Sequence, residues 1–137
     1  ILSDLYKTRV KLPLPTLSYF LYMFQFKIAH VFVVKHKGKI IGGSICPFLN
    51  NKGMYTYYYC GLRDYHKRIF PTHLAVIAAM EYAIDNEIPN FDFMGAGKSD
   101  DKYGVRDYKS QFGGDLVEHG RYLKVLNPVL YAVGKLG

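Results

Sequence analysis

Hydrophobic positions along this chain repeat with two different periods, and proline and glycine mark where one gives way to the other. Ile1 to Val10 reads as the last turns of a helix, ended by Pro13 and Pro15. Proline removes a backbone donor and pushes the residue before it out of helical geometry. Thr16 is placed to cap a second helix over Leu17 to Ile28, rich in aromatic residues. Val31 to Val34 is a β-branched and aromatic strand, closed by a Lys37-Gly38 hairpin turn, and Lys39 to Phe48 returns beside it. Gly42-Gly43 inside that return predicts a bulge or a close backbone approach. A turn over Asn50 to Gly53 leads to a third strand, Met54 to Cys60, completing an antiparallel meander.

The second half changes rhythm. After a loop from Gly61 to Phe70, Pro71 occupies a first-turn position and a helix runs to about Glu87. Val76, Ile77, Met80, Ala83 and Ile84 share one face at helical spacing, with Glu81 and Asp85 pointing away. Asn90 to Met94 is a short strand, and the helix between it and the third strand predicts that these two run parallel. Gly95 to Gly104 is a loop and Val105 to Phe112 a short helix, stopped by Gly113-Gly114. Leu116 to Val125 is expected as another strand, broken by Gly120, and Asn127 to cap a last helix that starts at Pro128. The expected fold is therefore α/β in the mixed sense (α+β), with a mostly antiparallel sheet flanked by helices.

The 137 residues fit one domain, 1–137, and half of them are hydrophobic. There are 13 Tyr and 9 Phe but no Trp, and tyrosine sits well on half-buried strands or around a cleft. Charge is uneven. Residues 1–72 hold eleven Lys/Arg against two Asp, whereas residues 73–137 hold seven against nine Asp/Glu. The basic half suits an anionic partner such as RNA, nucleotide phosphates or a membrane surface, or serves simply as a solvated face. Cys46 and Cys60 are far apart, form no CxxC pair and have no histidine at metal-ligand spacing. They read as small core residues of a cytoplasmic protein with no metal site. His73 reads as a packing residue. The apolar stretch from Leu14 to Val34 is interrupted by Gln25, Lys27 and His30, so it is a poor membrane span. Because the chain opens on Ile1 with helical character and no initiator Met, an N-terminal portion is expected to precede it.

Gly95 to Ser99 (Gly-Ala-Gly-Lys-Ser) imitates the end of a phosphate-binding loop. The pattern requires a glycine where Asp92 stands and a helix beginning at Lys98-Ser99. Asp100 and Asp101 follow instead, so the motif is rejected. More informative are Phe91 to Gly95 (Phe-Asp-Phe-Met-Gly) and Tyr108 to Gly114 (Tyr-Lys-Ser-Gln-Phe-Gly-Gly), taken with the proline-led helix from Pro71 to Leu74 onward. Upstream, Tyr6 to Thr8 before the proline break and the Lys37-Gly38 hairpin with its Gly42-Gly43 strand fit the same series.

In order and spacing these motifs resemble the C-terminal signature of the FemAB family, the Fem-type branch of the GNAT acyltransferases, over nearly the whole chain. The resemblance implies transfer of an acyl or aminoacyl group to an amine acceptor, borne by a cell-wall (peptidoglycan) precursor or another amine-bearing small molecule. The donor implied is aminoacyl-tRNA or acyl-CoA, with no tightly bound cofactor. It also implies that the strand after the central helix splays from the third strand to open a substrate slot. In such chemistry Lys109 would stabilise a tetrahedral oxyanion or hold a phosphate, or else be a surface lysine of a short helix. Asp92 would orient the amine, accept a proton, or cap the loop behind it. Arg63, His66, Lys67 and Arg68 form a basic cluster before the central helix, suited to donor phosphates as point charges. That loop lacks the glycine pair with which acyl-CoA enzymes of this fold hold pyrophosphate. The departure disfavours the first alternative, a conventional acyl-CoA-dependent N-acetyltransferase. A second alternative is a non-catalytic GNAT-like domain that binds RNA or a partner domain.

Overall fold

The structure, a computed structural model, describes residues 1–49, 52–97, 102–120 and 122–135. Helix α1 (Leu2–Leu5) runs on as a π-helical turn, Tyr6–Val10, until Lys11 adopts left-handed geometry and donates its N–H to the Tyr6 carbonyl. Helix α2 spans Leu17–Gln25, shorter than expected, because Lys27 also turns left-handed and Ile28 N–H bonds back to the Met23 carbonyl. Such a closure satisfies the last carbonyls and ends a helix. Thr16 stands at the cap position, yet its side chain makes no capping bond; its carbonyl accepts from Tyr19 N–H instead.

Strands β1 (Ala29–His36) and β2 (Lys39–Leu49) form the expected hairpin. Lys37 (φ 48°) and Gly38 (φ 77°) both lie in the left-handed region, the turn whose twist matches that of paired strands. Register slips beside Gly42: Val34 faces Gly42, whereas Lys35 faces Ile40, leaving Ile41 unopposed and fully buried. This is the predicted bulge. The predicted close approach is there too, since a Cβ on Gly42 would lie 2.8 Å from the Cys60 carbonyl oxygen and one on Gly43 2.6 Å from that of Phe32.

The expected third strand is two strands, β3 (Gly53–Tyr55) and β4 (Tyr58–Gly61). Thr56 causes the break. It is buried, and both its N–H and its hydroxyl bond the Asp92 carbonyl, which diverts the chain between the two strands. β4 pairs with the middle of β2, while β3 joins the end of β2 to β5 (Phe91–Asp92). The β3–β5 pairing is parallel, as expected, and the sheet runs β1-β2-β3-β5 with β4 also on β2.

Helix α3 (Pro71–Asp85) lies across β1, β2 and β4. The residues it buries are Pro71, Ala75, Val76, Ala79 and Ala83. The sequence-derived face is thus corrected: Ile77 and Ile84 are exposed, at 39% and 72%. Small residues won that face because the helix sits very close to the sheet, close enough for the buried Ser44 hydroxyl to reach the Ala75 carbonyl at 2.8 Å. Ala79 and Ala83 form the core with Cys46 and Met54, sealed by Phe32, Phe48, Tyr82, Ile88 and Phe91. Both thiols are free and buried, and burial raises the Cys46 thiol to about 11. Alternation along β4 sends Tyr58 to the opposite face, onto Tyr6 and Phe20.

Beyond α4 (Gly104–Ser110) the chain departs from expectation. Residues 115–120 and 122–125 pair with no strand among those described, with Leu116, Val117 and Leu123 at least 64% exposed. Gly113, Gly114 and Gly120 all have positive φ, which interrupts the extended run needed for a ladder. Helix α5 (Pro128–Gly134) begins as predicted, with the Asn127 side chain accepting from Val129 and Leu130 N–H. Asn50, Asn51, Lys98 and Ser99, part of two sequence readings above, lie outside the described residues.

The seam between β4 and α3 yields a test. A Cβ on Gly61 would sit 2.5 Å from Thr72 N and 2.8 Å from Pro71 Cβ. Gly61→Ala is expected to lower unfolding free energy by about 1–3 kcal/mol, read as a lower denaturant midpoint. Gly134→Ala, with open space around the new methyl, should leave the midpoint where it is.

Candidate active site

The site forms where two neighbouring strands part. β3 and β5 share only the Met54–Phe91 and Tyr55–Asp92 positions, after which β4 follows β2 and residues 93–97 leave the sheet. A backbone wedge of this kind cannot stay empty, since its walls need packing and hydrogen-bond partners.

Helix α4 supplies the packing. Tyr108 stacks on Tyr59 of β4 with ring centroids 5.9 Å apart, and Phe112 stacks on Phe93 at 5.6 Å. His73 of α3 meets both rings, Tyr108 at 4.9 Å and Phe112 at 5.6 Å, and its Nε2 lies 3.4 Å from Gln111 Oε1. Tyr108 on α4 and Phe112 in the turn that follows it present both rings to the same side, against His73. His73 is a packing residue, as expected, with aromatic partners that the sequence could not name.

The opposite side of α4 supplies the polar partners. Lys109 Nζ donates to the Gly95 carbonyl at 2.7 Å, and Arg106 Nε donates to that of Ala96 at 3.1 Å. Asp92 accepts from Met94 N–H through one carboxylate oxygen, stabilising a loop in which Met94 is left-handed at φ 62°. Phe91 and Phe93 rings meet at 5.3 Å on one side of the strand, so Asp92 points to the other.

Asp92 and Lys109, paired by the sequence motifs alone, therefore line a single cavity of about 800 Å³. Arg106, Asp107, Gly113 and His119 contribute to its wall. Burial pushes the half-buried Lys109 ammonium below the ordinary lysine value, and the Asp92 carboxylate partly offsets this. The arrangement presents a partly dehydrated cation beside an anion at the mouth of a wedge, with the cation on a carbonyl it can exchange for another oxygen. Arg106 and His119 were not singled out by sequence, because neither belongs to a motif and only the fold of α4 and the following segment brings them here.

Arg63, His66, Lys67 and Arg68 are placed differently. All four are exposed in the loop between β4 and α3, and none lines the cavity that holds Asp92 and Lys109. His66 Nδ1 accepts from Arg68 N–H, which shapes the loop. A smaller cleft of about 280 Å³ lies between Ile1-Leu2 and the sheet face bearing Val31, Val33 and Tyr58, and is lined by no charged side chain. Among the described residues, no group of three or more His, Cys, Asp or Glu could hold a metal ion, and no helix is long and apolar enough to cross a membrane.

A mixed sheet whose strands part after a brief parallel pairing, with a helix laid across it and another packed into the opening, is the GNAT acyltransferase fold. Solved structures agree. An aminoglycoside acetyltransferase, meta-AAC0020, from an uncultured soil metagenomic sample and in complex with trehalose, is 20% identical, with TM-score 0.61 over 90% of this chain and 86% of that one. The ribosomal-protein-alanine N-acetyltransferase of Brucella melitensis biovar Abortus 2308 is 11% identical, with TM-score 0.61 over 89% of each chain. Comparison with curated protein sequences returns no match. The model of the FemAB family matches residues 31–136, and the chain belongs to that family. It is accordingly an acyltransferase of the GNAT type.

One atom in the wedge has no partner among the described residues: the buried hydroxyl of Tyr108. Burial, reinforced by Tyr59, raises its pKa well above the ordinary tyrosine value, so it stays protonated. A buried hydroxyl without a partner costs about 1–3 kcal/mol. Tyr108→Phe is therefore expected to match or exceed the parent in thermal stability. A clear drop in melting temperature would show that the hydroxyl is bonded in solution.

Proposed function

We propose that residues 1–137 act as one Fem-like transfer unit that moves an aminoacyl group from aminoacyl-tRNA to an amine, borne by a cell-wall precursor or a similar small molecule, in the cytoplasm. The observation that supports this reading most directly is the convergence of Lys109 and Asp92 on one cavity at the mouth of the wedge. The amine nitrogen attacks the ester carbonyl carbon, and a C–N bond forms. The C–O bond to the ribose then breaks, and the departing oxygen takes up a proton from the nitrogen. Lys109 exchanges the Gly95 carbonyl for the oxyanion of the tetrahedral intermediate, whose charge it stabilises. Asp92 orients the incoming ammonium and receives its first proton.

A second reading, N-acetyl transfer from acyl-CoA, draws on the fold relatives, which are acetyltransferases by name. The loop before α3 counts against it. α3 opens on Pro71, which has no N–H to offer a pyrophosphate, and Gly61 is pressed against Thr72. The third reading, a non-catalytic domain that binds RNA or a partner domain, leaves Lys109 only its bond to the Gly95 carbonyl and gives the cavity it shares with Asp92 no chemistry.

Calorimetric titration with acetyl-CoA separates the first two readings. No heat of binding, together with transfer from charged tRNA to an amine acceptor, is the expected result; saturable micromolar binding of acetyl-CoA would favour the second reading. In the assay that turns over, Lys109→Met is expected to lower the rate about a hundredfold or more, while loss of its bond to the Gly95 carbonyl lowers the melting temperature only slightly. The active form is the ammonium, so the parent rate should fall as pH rises through the Lys109 pKa. That fall comes below the ordinary value of 10.5, since burial lowers this pKa. A pH profile flat to that value, or full activity of the Met variant, removes Lys109 from the mechanism.

A further inference from the structure

Among the described residues β5 pairs with β3 alone, so one side of it is free. Met54 N–H and Thr56 N–H donate to the Asn90 and Asp92 carbonyls, which therefore face β3. Neighbouring residues of a strand point their backbone groups to opposite sides, so the N–H and C=O of Phe91 and Phe93 point outward, where no described residue bonds them. Beyond α4, residues 115–119 make no backbone hydrogen bond to any described residue either. The two unpaired stretches border one space: Phe91, Phe93, Asp115, Leu116, Val117 and His119 all line the cavity that holds Asp92 and Lys109. Glycines bracket the second stretch. Gly113, Gly114 and Gly120 are left-handed at φ 82°, 89° and 71°, and a Cβ on Gly113 or Gly114 would meet nothing within 4 Å.

We propose that residues 115–119 are a strap that swings on these glycines to join the outer edge of β5 as a further strand, closing the cavity over Asp92 and Lys109. Each stretch holds the donors and acceptors that the other lacks, and an unpaired edge is a template for another strand. Leu116 and Val117 are 70% and 64% exposed, and alternation along the added strand lays one of them on each face of the sheet. Glycine passes between left-handed and extended backbone without the penalty a Cβ imposes. The open space around Gly113 and Gly114 leaves the chain room to turn. A closed strap excludes water from the ammonium and the carboxylate, which strengthens their action on a developing charge. That effect on rate rests on the transfer reading; the movement itself does not.

Amide hydrogen exchange of the full chain, followed residue by residue by NMR, tests the movement. Val117→Pro removes a donor from the strap and bars the pairing. It should speed exchange of the Phe91 and Phe93 amides at least about fivefold. Gly114→Ala disfavours the left-handed, open form, and should slow the same amides by about the same factor. Leu123→Pro, beyond Gly120 and similarly exposed at 72%, should change neither. Phe91 and Phe93 amides that exchange alike in the parent, Val117→Pro and Gly114→Ala overturn the strap. If they are slow in all three, another chain covers the edge, and dependence on protein concentration identifies that chain as a second copy. Turnover keeps this proposal apart from the transfer reading. Val117→Pro should lower kcat about tenfold with the melting temperature unchanged. Parent kcat in that variant sinks the strap and spares transfer. Exchange that responds to both variants, in a chain that transfers nothing, does the reverse.

Discussion

Among the described residues, the bond from Thr56 N–H to the Asp92 carbonyl is the last backbone hydrogen bond between the strands that open the wedge, and the site depends on that early ending. Had the parallel ladder continued, residues 93–97 would have been occupied in pairing and α4 would have had nowhere to pack. Because it stops, the Gly95 and Ala96 carbonyls need new donors, and Lys109 and Arg106 supply them. The lysine reaches the cavity as a consequence of satisfying the backbone.

That arrangement gives α4 two kinds of anchor. Tyr108 and Phe112 hold one face through ring contacts with Tyr59, His73 and Phe93, while Lys109 and Arg106 hold the other through carbonyls. Apolar contacts fix where the helix sits, and the charge-assisted bonds fix its rotation. Seven residues could not hold a helix in place by their own propensity.

What the sequence revealed divides along the same physical line. Features set by local backbone chemistry were legible: the Lys37-Gly38 turn, the bulge at Gly42-Gly43, Pro71 opening α3 and Asn127 capping α5. Features set by tertiary fit were not. Helical spacing nominated Ile77 and Ile84 for the core, but the distance between α3 and the sheet selected alanines. Leu116 to Val125 has the composition of a strand but finds no neighbour to pair with among the described residues. Thr56 breaks the third strand through a partner thirty-six residues away, which no local pattern reports. The motifs did place Asp92 and Lys109 together. They could not show that the hairpin tip adjoins the loop from Arg63 to Arg68, because a single histidine–tyrosine contact, His36 to Tyr65, joins them.

The seam of small residues between α3 and the sheet acts as a fixed gauge. Gly42 and Gly61 leave no room for a Cβ against α3, and Ala75, Ala79 and Ala83 are buried on the helix face, so backbone contact sets the spacing of β4 from α3. Adaptation to a new substrate must then come from the chain beyond α4, residues 115–120 and 122–125, which pairs with no strand among those described. Such a molecule separates its inheritance into two parts. One tolerates almost no change of side-chain size, and the other is free to drift, so new specificities can arise without renegotiating the fold.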